Sequence, residues 1–250
     1  MVMAPDGARG FIDRGEVARF DALAATWWDE AGPMRVLHRF NSVRVAYIRD
    51  ALCARHGRDP AGPLPLDGLT ICDVGCGGGV LSEPLARLGA TVTGLDPATR
   101  NLAVARAHAE AAGLAVDYRA ETIEQIVESQ KDFDAVLIME VVEHVADRTA
   151  FVRAACAAVR PGGTLFAATI NRTLRSFALA IVGAEYVLGW LPRGTHDWEK
   201  FVTPDEFARA IRAGGIDVAD TVGVVYSPLG DTWRAGRDTA VNYMLRAERP

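Results

Sequence analysis

The spacing of apolar and polar residues changes several times along this chain, and each change marks an element. Across residues 15–29, Val17, Phe20, Leu23, Ala24 and Trp27 recur at helical spacing. A second helix is predicted over 41–56, with Val43, Tyr47, Ile48 and Leu52 on one face. A Pro- and Gly-rich linker, 57–68, follows it. From residue 69, short apolar runs bounded by turn residues alternate with helical segments. Strands are predicted at 69–74, 91–95, 114–118, 133–138 and 164–170. Helices are predicted between them at 80–88, 98–112 and 149–159, stopped by Gly89, by Gly113 and by Pro161-Gly162-Gly163. After Asn171 the alternation gives way to a mostly apolar stretch reaching Pro192. One more helix, 203–213, precedes a final strand pair at 218–226 and 242–247. No internal repeat or low-complexity segment interrupts the pattern.

Strands alternating with helices imply right-handed crossovers and a parallel sheet covered on both faces. The expected fold class is therefore α/β, Rossmann-like, with a mostly parallel seven-stranded sheet and helices on both faces. Residues 1–68 are expected to supply N-terminal helices and a linker that pack on the core. Residues 69–250 form the main domain, with an apolar insertion at 172–200. One such domain accounts for 250 residues, and a composition 50% hydrophobic and 24% charged can fill its core. The net charge of −5 argues against a nucleic-acid partner. Cys53, Cys72, Cys76 and Cys156 fall in different elements without a C-x-x-C pair, so neither zinc nor a disulfide frame is expected. The first ten residues lack the apolar core of a signal peptide, and a reducing, cytoplasmic setting is the default.

The first predicted strand runs into Cys72-Asp73-Val74-Gly75-Cys76-Gly77-Gly78-Gly79, and the second ends at Asp96. Glycines let a backbone approach a bulky cofactor, and a carboxylate at the neighbouring strand tip can take ribose hydroxyls. A dinucleotide fingerprint needs a third glycine where this chain has Val80. The pattern D-x-G-x-G-x-G is instead that of class I S-adenosylmethionine (SAM) methyltransferases. Gly75 and Gly77 are expected along the methionyl portion and Asp96 at the ribose. Asp73 either orders the loop or reaches the cofactor amine. An ordinary tight turn between strand and helix is the plain alternative. Arg44 offers a fork for a carboxylate, or a solvent-facing charge. Met139, just past the fourth strand, packs on the cofactor or in the core.

That strand leads into Met139-Glu140-Val141-Val142-Glu143-His144. Ligands of open α/β sheets sit beyond the carboxyl ends of the strands. On a helical turn Glu140, Glu143 and His144 would project to one face. Two carboxylates and an imidazole there suit Mg²⁺, while His144 alone suits a general base. Helix capping and structural packing are the plain alternatives. The Asn/Asp-Pro-Pro-aromatic motif of many base-modifying methyltransferases is absent, which favours a small-molecule acceptor.

Within residues 176–192 the only charge is Glu185; Arg172 and Arg175 precede the stretch, and Arg193 and Lys200 follow it. It falls short of the roughly 20 apolar residues of a membrane span. Tyr186, Trp190 and the flanking basic residues suit an interfacial segment, and a buried lid or oligomer helix is the alternative.

Together these features closely resemble the ubiquinone biosynthesis O-methyltransferase family, from Phe20 onward. The resemblance is carried by Phe20-Asp21, Trp27-Trp28-Asp29, Leu37-His38 with Asn41 and Arg44, the glycine loop, and the run from Gly89 to Asp96. It continues through Glu140, Glu143-His144-Val145, Val182-Gly183-Ala184-Glu185-Tyr186, Gly194-Thr195-His196-Asp197 and Val241-Asn242-Tyr243-Met244. The linker 57–68 is longer than expected of the family. The resemblance implies SAM-dependent methylation of a polyprenylated catechol and of demethylubiquinol, with Arg44, Gly75, Asp96 and Met139 touching SAM. It also implies membrane contact at about 175–193, peripheral attachment to the inner face of the membrane, and other ubiquinone-biosynthesis proteins as partners. A phenol with a pKa near ~10 needs activation. Mg²⁺ on Glu140, Glu143 and His144 is the expected device, with His196 a second candidate base. Competing expectations are an O-methyltransferase of another small phenol or carboxylate, and a nucleotide-binding oxidoreductase or non-catalytic SAM sensor.

Overall fold

The structure, a computed structural model, describes residues 13–177, 198–227 and 230–250. Asp13 caps the first helix, α1 (Arg14–Ala22), by accepting from the Gly15 N–H at 2.9 Å. This helix is shorter than the predicted 15–29 and gives way to a 3₁₀ turn at Ala24–Thr26. Tertiary bonds override the helical period here. Trp27 Nε1 donates to Asn101 Oδ1 and Trp28 Nε1 to the Gly78 carbonyl, both at 2.9 Å. The next helix, α2 (Arg35–His56), starts well before the predicted residue 41 and ends at Gly57, whose φ is 63°. Left-handed glycine is the usual way to stop a helix.

Then follow β1 (Thr70–Val74), α3 (Ser82–Arg87), β2 (Thr91–Leu95), α4 (Thr99–Ala111), β3 (Val116–Arg119), α5 (Ile123–Glu128) and β4 (Phe133–Met139). The chain continues through α6 (Arg148–Ala157), β5 (Val159–Ile170), a single turn α7 (Leu174–Ser176), α8 (Pro204–Ala213), β6 (Asp217–Ser227), β7 (Thr232–Gly236) and β8 (Asn242–Glu248). The strand order is β3-β2-β1-β4-β5-β8-β6-β7. β1 to β5 pair in parallel, while β5 with β8, β8 with β6 and β6 with β7 pair antiparallel. Eight strands therefore form the sheet among the described residues, not seven. The additional strand, β7, is a short edge strand without clean alternation, so its sequence carries little signal. The helix α5 also went unpredicted; it is short and set by a capping box between Thr122 and Gln125.

Strand order reverses between β1 and β4, which opens a crevice at their carboxyl ends. Alternation along β4 explains the layers. Val136 and Ile138 join Phe151, Val152 and Ile211 on one face. Ala135, Leu137 and Met139 join Ile48, Leu52 and Leu85 on the other. A parallel sheet buried on both faces reads as a continuous apolar run, as residues 135–139 of β4 do. α2 thus shares a core with the central strands. The linker is pinned as well: Leu66 is fully buried and donates to the Leu88 carbonyl at 2.9 Å. No helix among the described residues is long and apolar enough to cross a membrane.

Leu52→Ala tests this anchoring, because Leu52 is 0% exposed in the core shared by α2 and β1. The expected cost is about 2–5 kcal/mol, read as a lower urea midpoint. An unchanged midpoint would show that α2 is not part of the cooperative core.

Candidate active site

The loop after β1 folds back onto the end of β2. Gly75 N and Cys76 N both donate to the Leu95 carbonyl, at 2.7 and 3.0 Å. Gly75 and Gly77 have φ of 71° and 54°, which a Cβ would make costly. A Cβ on Gly75 would stand 2.6 Å from Val141 Cγ2, and one on Gly77 would collide with the Trp27 ring. Asp96 holds this turn from the next strand. Its Oδ2 accepts from Gly77 N at 2.9 Å and its Oδ1 from Ala98 N at 2.8 Å. Burial pushes the Asp96 pKa up, against the pull of those bonds. Oδ1 also accepts from Asn101 Nδ2, so it is Oδ2 that keeps a lone pair for a ligand hydroxyl. Asp73 orders the loop: its Oδ2 accepts from Ser82 Oγ at 2.6 Å, tying the end of β1 to the start of α3. Burial raises the Asp73 pKa to about 6.

A buried charge chain faces the loop across the crevice. Arg44, on α2, is 3% exposed and lies 4.0 Å from the centre of the Phe40 ring. Its Nη2 donates to Glu140 Oε1 at 2.8 Å, while its Nε has no partner among the described residues. Burial lowers the pKa of the guanidinium, which still stays charged. Glu140 sits just past β4 with φ of 59°, a strained conformation for a non-glycine residue. Glu143 is 3% exposed and accepts from Thr169 Oγ1 at 3.0 Å. Burial first, and the neighbouring Glu140 charge second, push its pKa up to about 8. His144 Nδ1 lies 3.1 Å from Glu16 Oε2, and its ring meets Phe20 edge-on at 5.0 Å.

Arg44, Gly75, Gly77, Asp96, Met139, Glu140, Glu143 and His144 all line one cavity of about 970 Å³. Met139 belongs to the core and also lines the cavity. The expected helical face for Glu140, Glu143 and His144 does not form. Only Val142–His144 makes a 3₁₀ turn, and the left-handed Glu140 stands outside it. The three side chains turn to Arg44, Thr169 and Glu16 respectively. Among the described residues, no three His, Cys, Asp or Glu side chains cluster so as to hold a metal ion. This arrangement does not fit the expected Mg²⁺ triad. Arg44 already balances Glu140, while Glu143 and His144 are engaged by Thr169 and Glu16. His196 and residues 178–197 of the insertion lie outside the described residues.

Trp27, Asn101, Thr169 and Glu16 also build this site, and sequence reasoning assigned them no part in it. Asn101 joins the Trp27 indole to Asp96 (at 2.9 and 3.4 Å), although nothing local marks it. The paired tryptophans were visible as a motif, but not their seat on the glycine loop.

The residues here can hold SAM. Arg44 Nε is an unpaired buried donor suited to a carboxylate, and Asp96 is placed for ribose hydroxyls. Residues 72–167 match the family model described as a methyltransferase domain. Among solved structures, magnesium protoporphyrin IX methyltransferase from Synechocystis PCC 6803, with bound SAH, is similar at a TM-score of 0.62 and 20% identity. That match covers 94% of this chain and 100% of that one. A SAM-dependent methyltransferase from Thermotoga maritima is similar at 0.61 and 18% identity, covering 92% and 100%. Fold and site define a class I SAM-dependent methyltransferase. The ubiquinone biosynthesis O-methyltransferase of Methylobacterium sp. (strain 4-46) is 74% identical, covering 99% of this chain and 98% of that protein. That of Brucella anthropi is 55% identical, covering 97% and 98%. The chain belongs to the ubiquinone biosynthesis O-methyltransferase family.

The raised pKa of Glu143 has a stability signature. The folded chain keeps a proton that the unfolded chain releases above about 4.5, and it releases its own only at about 8. The contribution of Glu143 to stability is therefore complete below the lower value and declines as pH rises through the upper one. Urea unfolding of wild type minus Glu143→Gln should trace that decline. A difference independent of pH would contradict it.

Proposed function

We propose that this protein transfers the methyl group of SAM to a ring hydroxyl of polyprenylated catechols and of demethylubiquinol, the O-methylations of ubiquinone synthesis. The observation that carries the reading is 74% identity, over 99% of the chain, to a protein of that name. The cavity of about 970 Å³ supports it, being large enough for a cofactor and a substituted ring together.

When bound, SAM supplies an electrophilic methyl group on a sulfonium. Arg44 takes the carboxylate of its methionyl end, Gly75 and Gly77 let the backbone come close, Asp96 takes the ribose hydroxyls, and Met139 forms an apolar wall. Phe40 and Trp233, with ring centres 5.5 Å apart, line the same cavity and give a prenylated ring an aromatic surface. Phenol hydroxyls ionise near ~10, so a carboxylate with a pKa of about 8 is well matched as proton acceptor. Glu143 takes that proton in its ionised form, and Glu140 supports it by raising its pKa and balancing Arg44. His144, held by Glu16 on the same cavity, is the competing acceptor.

Turnover of a short-chain demethylubiquinol with SAM tests the assignment. Glu143→Gln should lower kcat by about 10²–10⁴-fold and remove the rise of kcat toward pH 8, with little change in KM for SAM. If His144→Gln produces that pattern instead, the proton goes to His144. If a soluble phenol is methylated as fast as the prenylated one, the acceptor reading fails.

Peripheral membrane attachment through residues 175–193 belongs to the same proposal. At the edge of that segment Leu174 is 82% exposed and Phe177 43% exposed, beside Arg175. Large apolar side chains next to a cation suit an anionic lipid surface. The wild type should float with anionic liposomes and Leu174→Glu/Phe177→Glu should not; equal flotation would count against this surface.

A further inference from the structure

Two residues of the cavity wall carry a buried polar atom that has no partner among the described residues, and the two atoms are opposite in character. Arg44 Nε is a donor and Asn41 Oδ1 is an acceptor. Their residues are 3% and 8% exposed. They stand three positions apart on α2, the spacing that sets side chains on one helix face. Both line the cavity that holds the glycine loop. The amide of Asn41 cannot simply turn over. Its Nδ2 donates to the Val80 carbonyl at 2.8 Å, and a flip would set two oxygens against each other. The unpaired atom is therefore an oxygen, and a buried acceptor without a donor is costly. A zwitterionic α-amino acid end carries a donor for Asn41 Oδ1 and an acceptor for Arg44 Nε in one small group.

We propose that Asn41 Oδ1 receives the α-ammonium group of SAM while Arg44 Nε receives its carboxylate. α2 then reads the amino-acid end of the cofactor as a pair of opposite charges. This assignment rests on the SAM reading above and adds a binding residue to it. Asp73, another acceptor beside the loop, has its Oδ2 engaged by Ser82. The bond from Asn41 to Val80 gives the pair a second consequence. Val80 directly follows the glycine loop, so the group that recognises the ammonium is tied to the backbone that shapes the pocket.

Isothermal titration of wild type and Asn41→Ala with three ligands tests this. The ligands are S-adenosylhomocysteine, its analogue lacking the α-amino group, and methylthioadenosine, which lacks the amino-acid end. Asn41→Ala should weaken S-adenosylhomocysteine by about tenfold or more and leave the other two unchanged. Removing the amino group from the ligand should cost the wild type the same factor and the variant nothing. Asn41→Ser repeats the cycle should Asn41→Ala fail to fold. Equal losses for all three ligands would mean that Asn41 only holds Val80; that overturns the assignment and leaves the cofactor reading standing. Failure of the wild type to bind S-adenosylhomocysteine would overturn both.

Discussion

A buried guanidinium must be paired, and the pairing of Arg44 with Glu140 organises the rest of this molecule. Arg44 comes from a helix outside the alternating strand–helix region, while Glu140 stands at the carboxyl end of the central strand β4. Their 2.8 Å contact therefore fixes α2 across the mouth of the crevice. It also explains why the left-handed backbone at Glu140 persists. The residue is held by its N–H to the Ala168 carbonyl and by its carboxylate to Arg44, so the surroundings over-determine a conformation that would otherwise relax.

Electrostatics follows from the same pair. Asp73, Asp96, Glu140 and Glu143 all line the cavity, and Arg44 is the fully buried cation among them. Burial raises the pKa of Asp73, Asp96 and Glu143, and Glu140 raises that of Glu143 further. A pocket with surplus carboxyl groups favours a ligand of net positive charge, as SAM is with its sulfonium, ammonium and carboxylate. The same surplus stores protons, which is what a site that must accept a phenolic proton needs.

Much of this was legible in the chain. The β2 limits, 91–95, follow directly from an apolar run between turn residues. The glycine loop and Asp96 declared themselves because their constraints are local: positive φ and a strand tip. Arg44 and Met139 rested on resemblance, and both line the cavity. What stayed hidden is tertiary. Nothing near Trp27 and Trp28 shows that their indoles will bond residues on the far side of the loop and end a helix early. The spacing of Glu140, Glu143 and His144 suggested a shared helical face, but helical spacing holds only on a helix, and the left-handed Glu140 breaks it. β7 is too short and too mixed in pattern to announce itself.

The most direct measurement is the site of methyl transfer. Wild-type protein is incubated with SAM carrying a deuterated methyl group and a short-chain demethylubiquinol, and the product is fragmented by mass spectrometry. The label should appear as a single methoxyl on the ring, on the hydroxyl that lies outside the quinol pair. Unlabelled product, or label on a ring carbon, would contradict a phenolic oxygen as the nucleophile in this cavity.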